Sequence, residues 1–230
     1  MTFYQIMKDW LKYNKGQVIT LPDTDAASIV QALPDIYYDR DLSRLRPGLT
    51  NKIKFVLLKL GYQLGYCGYA NLERSPSTGE LKSLINKEID IWRDKFKFKD
   101  HRFRNREWQY DIHWYRDNPD THFMPATLNM ACECELHPSR GLKDQKEHGE
   151  YFRPAVRYDF QKLLASNAML RVMIFRVNNK FELEDPRKGL SAYFIEAIEL
   201  YQQLPAGSKF LFICLHHHNF HYCYYEKSSG

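Results

Sequence analysis

The chain has 230 residues, which is enough for one sizeable hydrophobic core, alone or with a small helical appendage. Hydrophobic residues make up 44% of the sequence and charged residues 27%, a composition that excludes a disordered protein. The formal charge of +5 is mildly basic: it is compatible with a polyanionic partner but does not by itself indicate one.

Three further features bear on location. No stretch approaches the about 20 consecutive apolar residues of a membrane span, so no membrane association is expected. The N-terminal residues interleave polar and charged side chains and lack the unbroken apolar run of a secretory signal. The five cysteines form no CxxC motif, which favours reduced thiols. We therefore expect an intracellular, cytoplasmic protein.

Helical periodicity dominates the first part of the chain. Thr50 is the expected N-cap of the strongest helix, and Gly65 is expected to end that helix. Apolar residues at helical spacing predict helices over residues 3–14, 25–33, 50–65 and 80–96, and a short strand is predicted over residues 66–73.

After residue 107 the apolar pattern changes to that of strands. It predicts strands over 107–115, 126–136, 170–177, 208–218 and 220–227, helices over 156–169 and 190–204, and a charged loop over 140–154. This order predicts an α/β fold, a mixed central sheet flanked by helices. We expect an N-terminal helical extension over residues 1–49 and an α/β domain over residues 50–230.

Three carboxylates stand out in the predicted strands. Asp111 lies in "QYDIHWY", and Glu133 and Glu135 lie in "MACECEL". Strand side chains alternate, so the two glutamates share one face, with about 6.6 Å between their Cα atoms, while Cys132 and Cys134 take the other face. If the two strands form a hairpin, Asp111 lies beside the glutamates.

Such a group of acids predicts a metal site. Three neighbouring carboxylates repel one another unless a cation intervenes. Hard oxygen ligands, with other positions left to water and phosphate, suit Mg²⁺ or Mn²⁺. The chemistry that this arrangement serves best is metal-assisted hydrolysis of a phosphodiester. In "YDFQKLL", Asp159 and Lys162 are neighbours on a helix surface, and the lysine could offset charge on the phosphate.

In order and spacing, these residues resemble the PD-(D/E)XK restriction-endonuclease-like superfamily over roughly residues 50 to 177. Asp111 matches the first acid of the family pattern and Glu133 the second. Glu135 stands where the pattern has a lysine, as in some restriction enzymes, and Lys162 resembles a lysine displaced onto the following helix. The resemblance implies a restriction-endonuclease-like core with an N-terminal helical extension and a C-terminal helix plus β-hairpin.

The resemblance also implies a function. It predicts a metal-dependent nuclease that uses Mg²⁺ or Mn²⁺, with Asp111, Glu133 and Glu135 as ligands and Lys162 as an assisting residue. Glu135 could alternatively act as the base toward water. A different class of function is a catalytically inactive nuclease-fold module that binds nucleic acid or protein. A third reading is a hydrolase of some other phosphate ester.

A basic run, residues 93–107, precedes the Asp111 strand and is interleaved with phenylalanines. Cations that meet phosphates, with rings available to stack on bases, are typical of nucleic-acid binding. The alternative is a solvated segment whose phenylalanines enter the core. We expect DNA or RNA as a partner and leave a homodimer open. The predicted nucleic-acid-binding residues are Lys95, Lys97, Lys99, Arg102, Arg104 and Arg106.

Structural alternatives exist for each candidate. Asp111 could face water or pair with an arginine, and the glutamates could lie on the exposed face of an edge strand. Lys162 points away from the main apolar stripe of its helix, which is the position of a solvated lysine. The histidines of residues 216–221 lack the spaced Cys/His pairs of a zinc site and favour a surface hairpin.

Overall fold

A computed structural model of the chain places it in the α/β class, with seven strands and seven helices in the part of the chain that it describes. The chain divides into two compact units, residues 18–132 and residues 1–17 with 133–230. The described residues are 10–14, 17–38, 48–72, 78–96, 109–117, 125–136, 153–187 and 189–228. Within these ranges, no helix combines the length and the apolar character needed to cross a bilayer.

The unit of residues 18–132 combines helices with an antiparallel sheet. Its helices are α1 (Thr24–Ala32), α2 (Asp35–Tyr38), α3 (Leu49–Gln63) and α4 (Thr78–Phe96). Its strands are β2 (Cys67–Ala70), β3 (Ile112–Asp117) and residues 125–132 of β4 (Pro125–Glu135). β3 lies between β2 and β4, and its buried Trp114 is paired with Gly68 on one side and Met130 on the other.

The helices of this unit begin and end for local reasons. The Asp23 side chain accepts a hydrogen bond from the Ala26 N–H and caps α1. Gly48, not the predicted Thr50, is the N-cap of α3; Thr50 lies in the first turn and is buried. Gly65 ends α3 as predicted, because its φ of 84° lies in the left-handed region that glycine tolerates.

Gly61 provides a test of packing between α3 and β3. A Cβ at Gly61 would lie 2.6 Å from Nε1 of Trp114, which is fully buried and donates to the Leu57 carbonyl at 3.0 Å. Gly61→Ala is therefore expected to lower the free energy of unfolding by about 1–3 kcal/mol. Gly79→Ala is the matched control: nothing lies within 4 Å of its Cβ. Urea denaturation that shows equal stability for both variants would contradict this packing.

His113 of β3 predicts a pH dependence. Its side chain is 1% exposed and its ring stacks on Tyr69 at 5.1 Å. Burial lowers the pKa of His113 from its usual value to about 4. The unfolded chain therefore binds more protons between about pH 4 and 6.5, and the free energy of unfolding rises with pH across that window by up to about 3 kcal/mol.

The measurement is urea denaturation at pH 5 and at pH 7 for the wild type and His113→Phe. The wild type should be less stable at pH 5, and the difference should shrink in His113→Phe because the buried base is absent. An equal loss of stability in both proteins would show that other groups cause the pH dependence.

The second unit, residues 1–17 and 133–230, contains a mixed sheet and three helices. Its elements are β1 (Leu11–Lys12), the end of β4, α5 (Pro154–Leu164), β5 (Leu170–Arg176), α6 (Phe181–Glu184), α7 (Leu190–Leu200), β6 (Lys209–His216) and β7 (Asn219–Glu226). The strand order is β1-β7-β6-β5; β5 and β6 are parallel, whereas β6–β7 and β1–β7 are antiparallel. The rings of Phe160, Phe194 and Phe212 fill the core of this unit, with the last two stacked 4.6 Å apart.

Most predicted elements are confirmed, and the differences have physical causes. The helix predicted over 3–14 is wrong at its described end: Leu11–Lys12 form β1, because backbone pairing with β7 overrides the helical period. Asp111 lies just before β3, not within a strand. α5 and α7 end earlier than predicted, at Leu164 and Leu200. The predicted charged loop, residues 140–154, falls almost entirely outside the described residues.

The end of α5 is set by its neighbour β5. The Arg171 side chain, which is buried, donates to the carbonyl of Leu163 at 3.1 Å and to that of Ser166 at 2.6 Å. These bonds satisfy carbonyls that a longer helix would have used itself.

The restriction-endonuclease-like core itself stays a prediction.

The histidine-rich segment is a surface turn. His217 and His218 connect β6 to β7 with φ values of 47° and 63°, the left-handed conformation of a tight hairpin turn. The strand predicted over 208–218 therefore ends at His216. The ring of His216 lies 6.3 Å from that of His221 on the neighbouring strand.

Candidate functional site

Three of the residues singled out in the second unit meet at one point. Nζ of Lys162 lies 2.8 Å from Oε1 of Glu133 and 2.9 Å from Oδ1 of Asp159. The Glu133 side chain is 2% exposed and that of Lys162 is 29% exposed. An ammonium group is thus held between two carboxylates, one of them buried, and it stays accessible to solvent. We call Glu133, Asp159 and Lys162 the acid–lysine cluster.

Helix α5 brings the lysine to this point. Pro154 begins the helix, where proline costs no hydrogen bond. The apolar face of α5 is buried through Val156, Phe160, Leu163 and Leu164, as the sequence predicts. Asp159 and Lys162 are one turn apart on a neighbouring face, where side chains spaced by three residues contact each other. The helical wheel suggested a solvated lysine, but its long side chain reaches the carboxylate of β4.

The protonation state of Lys162 follows from its partners. Burial favours the neutral amine, but the hydrogen bonds and negative charges of Glu133 and Asp159 outweigh it, so the pKa of Lys162 is raised well above its usual value. Lys162 is therefore an ammonium ion throughout the physiological range. It cannot act as a general base, and its available chemistry is to stabilise negative charge and to donate hydrogen bonds.

The end of β4 is covered on both faces. Cys132 and Cys134 are buried, as the alternation predicts. Glu133 and Glu135 are also buried, so the open acidic face considered for this strand is absent. A buried carboxylate needs a counter-charge or hydrogen bonds, and Lys162 supplies the charge at Glu133.

Asp111 has a different counter-ion in its own unit. Its Oδ1 lies 2.7 Å from Nζ of Lys54, whose side chain is 3% exposed and also donates to the Asn71 carbonyl. Lys54 is a buried partner of Asp111 that sequence reasoning missed. The only signal was a lysine between Ile53 and Phe55 in an apolar helix segment. That Asp111 shares a metal site with the glutamates stays a prediction.

Sequence reasoning also missed a buried ion pair at the start of α5. Nε of Arg153 lies 2.8 Å from Oε2 of Glu182, and both side chains are largely buried. Arg153 is the N-cap residue of α5, with a φ of 57°. Glu182 also accepts a bond from the Asn178 N–H at 3.1 Å. The pair therefore fixes the beginning of the helix that carries Lys162, through residues 29 positions apart that no local pattern connects.

The donor set determines which metal could bind. Across the described ranges, no three His, Cys, Asp or Glu side chains are grouped closely enough to hold an ion. Mg²⁺, however, commonly uses only one or two protein carboxylates and completes its coordination with water and substrate phosphate. Glu133 and Asp159, whose carboxylates already face one cation, fit that mode. The assignment of Mg²⁺ or Mn²⁺ stays a prediction.

The predicted nucleic-acid-binding run can be located only in part. Lys95 lies near the end of α4, where the backbone is described. The other members lie outside the described residues: Lys97, Lys99, Arg102, Arg104 and Arg106.

Comparison with protein-family models, with curated proteins and with solved structures finds no match to this chain. The likeness to restriction-endonuclease-like proteins therefore remains a resemblance in a few residues. A function has to be argued from the acid–lysine cluster.

Proposed function

We propose that the chain is a metal-dependent, nuclease-like hydrolase of phosphodiester bonds in nucleic acid, with the acid–lysine cluster at its reaction centre. The observation that carries this proposal is the position of Lys162 between Glu133 and Asp159. A buried carboxylate thus lies beside a solvent-accessible ammonium ion. In phosphodiester hydrolysis the carboxylate can serve as a metal ligand and the ammonium ion as a phosphate-binding cation. The family resemblance implies a lysine that is displaced onto this helix and assists the acids.

Glu133 and Asp159 would hold Mg²⁺ or Mn²⁺, with Glu135 as a further predicted ligand. When bound, the metal would polarise the phosphoryl oxygen and lower the pKa of an attacking water. The ammonium of Lys162 has three donors, and Glu133 and Asp159 account for two. The third can be offered to a phosphate oxygen, where its positive charge offsets the negative charge that develops during hydrolysis.

The second candidate is a catalytically inactive module that binds nucleic acid or protein. One observation favours it: lysines already balance the charges of Glu133 and Asp111 within the protein. Ion pairs of this kind can have a purely structural role, without a metal or a reaction. The two candidates differ in whether the acid–lysine cluster binds a divalent cation.

The test combines cleavage with metal binding. Single-stranded DNA, duplex DNA and RNA are incubated with the wild type in Mg²⁺ or Mn²⁺, and metal binding is followed by calorimetry. Glu133→Gln should reduce cleavage by about 10²-fold or more and should abolish metal binding. Glu184→Gln, an exposed glutamate of the same unit, should behave as the wild type.

Each outcome separates the candidates. Cleavage that survives Glu133→Gln would contradict the assigned centre. If the wild type binds nucleic acid but neither cleaves it nor binds the metals, the hydrolase proposal fails and the inactive module is favoured.

A further inference from the structure

Helices α5 and α7, together with Arg187, line a cavity of about 490 Å³ that lies within the second unit. This volume falls in the range of small-molecule and cofactor sites. Ala197 and Leu200 supply apolar wall, and five polar residues line the rest, four of them on the two helices and the fifth being Arg187. We call this cavity the α5–α7 pocket; its polar residues outside the acidic Glu196 are Arg157, Gln161, Arg187 and Tyr193.

The Arg157 guanidinium is held in place at this pocket. Its central carbon lies 4.2 Å from the centroid of the Tyr193 ring. The Tyr193 hydroxyl is 3.4 Å from the Arg157 carbonyl and 3.4 Å from Nε2 of Gln161, so the ring is itself oriented by α5. A guanidinium that stacks on a ring keeps its N–H donors in its own plane, at the edge, where they suit a planar or tetrahedral anion.

The charge of the α5–α7 pocket also favours an anion. Arg157 and Arg187 contribute two positive charges and Glu196 one negative charge, which leaves the pocket positive. Arg187 is exposed and can adjust to a ligand. Arginine forms bidentate contacts with phosphate oxygens, and charge-assisted bonds of this kind are the stronger class of hydrogen bond.

The α5–α7 pocket and the acid–lysine cluster use the same helix. Arg157 and Gln161 are four residues apart on one side of α5. Tyr158 comes directly after Arg157 in the sequence, and Lys162 comes directly after Gln161. Residues that follow by one position lie on the adjacent side of a helix. One helix of 11 residues thus carries residues of both groups. Tyr158, which is exposed, lies between them on the helix surface.

We propose that the α5–α7 pocket binds a backbone phosphate of the nucleic-acid strand whose scissile phosphodiester lies at the acid–lysine cluster. This inference rests on the proposed function and names a second contact of the same substrate. Arg157 and Arg187 bind the phosphate, and Tyr193 holds Arg157 in position. The pocket thereby determines where along the strand the bond at Lys162 is presented.

The experiment measures the salt dependence of binding. Fluorescein-labelled 20-mers of single-stranded DNA, RNA and duplex DNA are titrated with protein in EDTA, so that no cleavage occurs, over a range of NaCl concentrations. The plot of log affinity against log salt should become shallower in Arg157→Met/Arg187→Met by about 0.7–0.9, the slope of one phosphate contact. Affinity at low salt should fall by about ten-fold.

Arg116→Met is the matched control, because Arg116 also lies over a tyrosine ring, that of Tyr66 at 5.2 Å, but belongs to the other unit. An unchanged slope in Arg157→Met/Arg187→Met, or an equal change in Arg116→Met, would overturn the inference. Arg187→Met alone removes only an exposed side chain, so its smaller effect in the same direction excludes misfolding as the cause.

The readout distinguishes the two proposals. A shallower slope in the double variant, together with a wild type that cleaves nothing, would support the phosphate contact and refute hydrolysis. Cleavage that depends on Glu133 but a slope that the arginines leave unchanged would refute the phosphate contact alone. A wild type that binds none of the three probes refutes both.

Discussion

Replacing Lys162 with methionine is expected to lower the free energy of unfolding by about 2–4 kcal/mol and to abolish cleavage by the wild-type mechanism. The Glu133 side chain is 2% exposed, so removal of its ammonium partner leaves a carboxylate that water cannot solvate. The pKa of Lys162 is raised, so its stabilising contribution is complete below the usual lysine pKa of about 10.4 and is lost only at higher pH.

Urea denaturation of four proteins separates structure from catalysis. Lys180→Met removes an exposed lysine of the same unit and should change stability by no more than about 0.5 kcal/mol. Glu133→Gln/Lys162→Met removes both charges and should recover much of the stability without recovering cleavage. Lys162→Arg keeps the charge and should stay close to the wild type in stability. A fully stable Lys162→Met protein would refute the buried ion pair, and one that still cleaves would refute the catalytic role.

Removal of the Asp111 carboxylate should have the largest effect on stability, about 3–5 kcal/mol for Asp111→Ala. The Lys54 ammonium, with its side chain 3% exposed, would keep only the Asn71 carbonyl as a described partner. A buried lysine without its anion favours the neutral form, which lowers its pKa in the folded state. The unfolded chain then binds more protons, so the stability of this variant should rise with pH from 7 to 10.

The pH profile and a double variant make this prediction specific. Asp111→Ala/Lys54→Met removes both charges and should be more stable than Asp111→Ala and lack its rise with pH. Glu80→Ala removes an exposed acid of the same unit and serves as the control. A flat profile for Asp111→Ala would indicate that water reaches Lys54 and would contradict its burial. The double variant also shows whether Asp111 itself is needed for cleavage, because the double variant contains no buried lysine without its carboxylate and should therefore stay folded.

The sequence correctly predicts the elements that depend on residues close to one another along the chain. The apolar stripe of Val156, Phe160 and Leu163 indicates α5, and the largely apolar segment of residues 170–177 indicates the buried β5. Gly65 marks the end of α3 because only its own backbone angle matters. β1 was missed because its two residues are determined by pairing with β7, which lies more than 200 positions later.

The candidate site divides in the same way. Strand alternation places Glu133, and helical spacing makes Asp159 and Lys162 neighbours. Helical periodicity alone indicates a solvated Lys162, and only the family resemblance implies that it assists the acids. The counter-ion of Asp111 was missed, because Lys54 lies 57 residues earlier, on a helix face that periodicity marks as apolar. Ion pairs between distant elements depend on tertiary packing, and single-sequence patterns do not identify the partner.

The division of the chain has a consequence for how the protein is made. Residues 18–132 are contiguous, so all the partners within that unit have been synthesised before residues 133–230 are added. The other unit is discontinuous: Leu11 and Lys12 pair with Tyr222 and His221. These residues must remain without their strand partner while roughly 200 intervening residues are added, at roughly 5–20 residues per second. The β1–β7 pairing, like the β6–β7 pairing, therefore becomes available only when the strand of residues 219–226 has been synthesised.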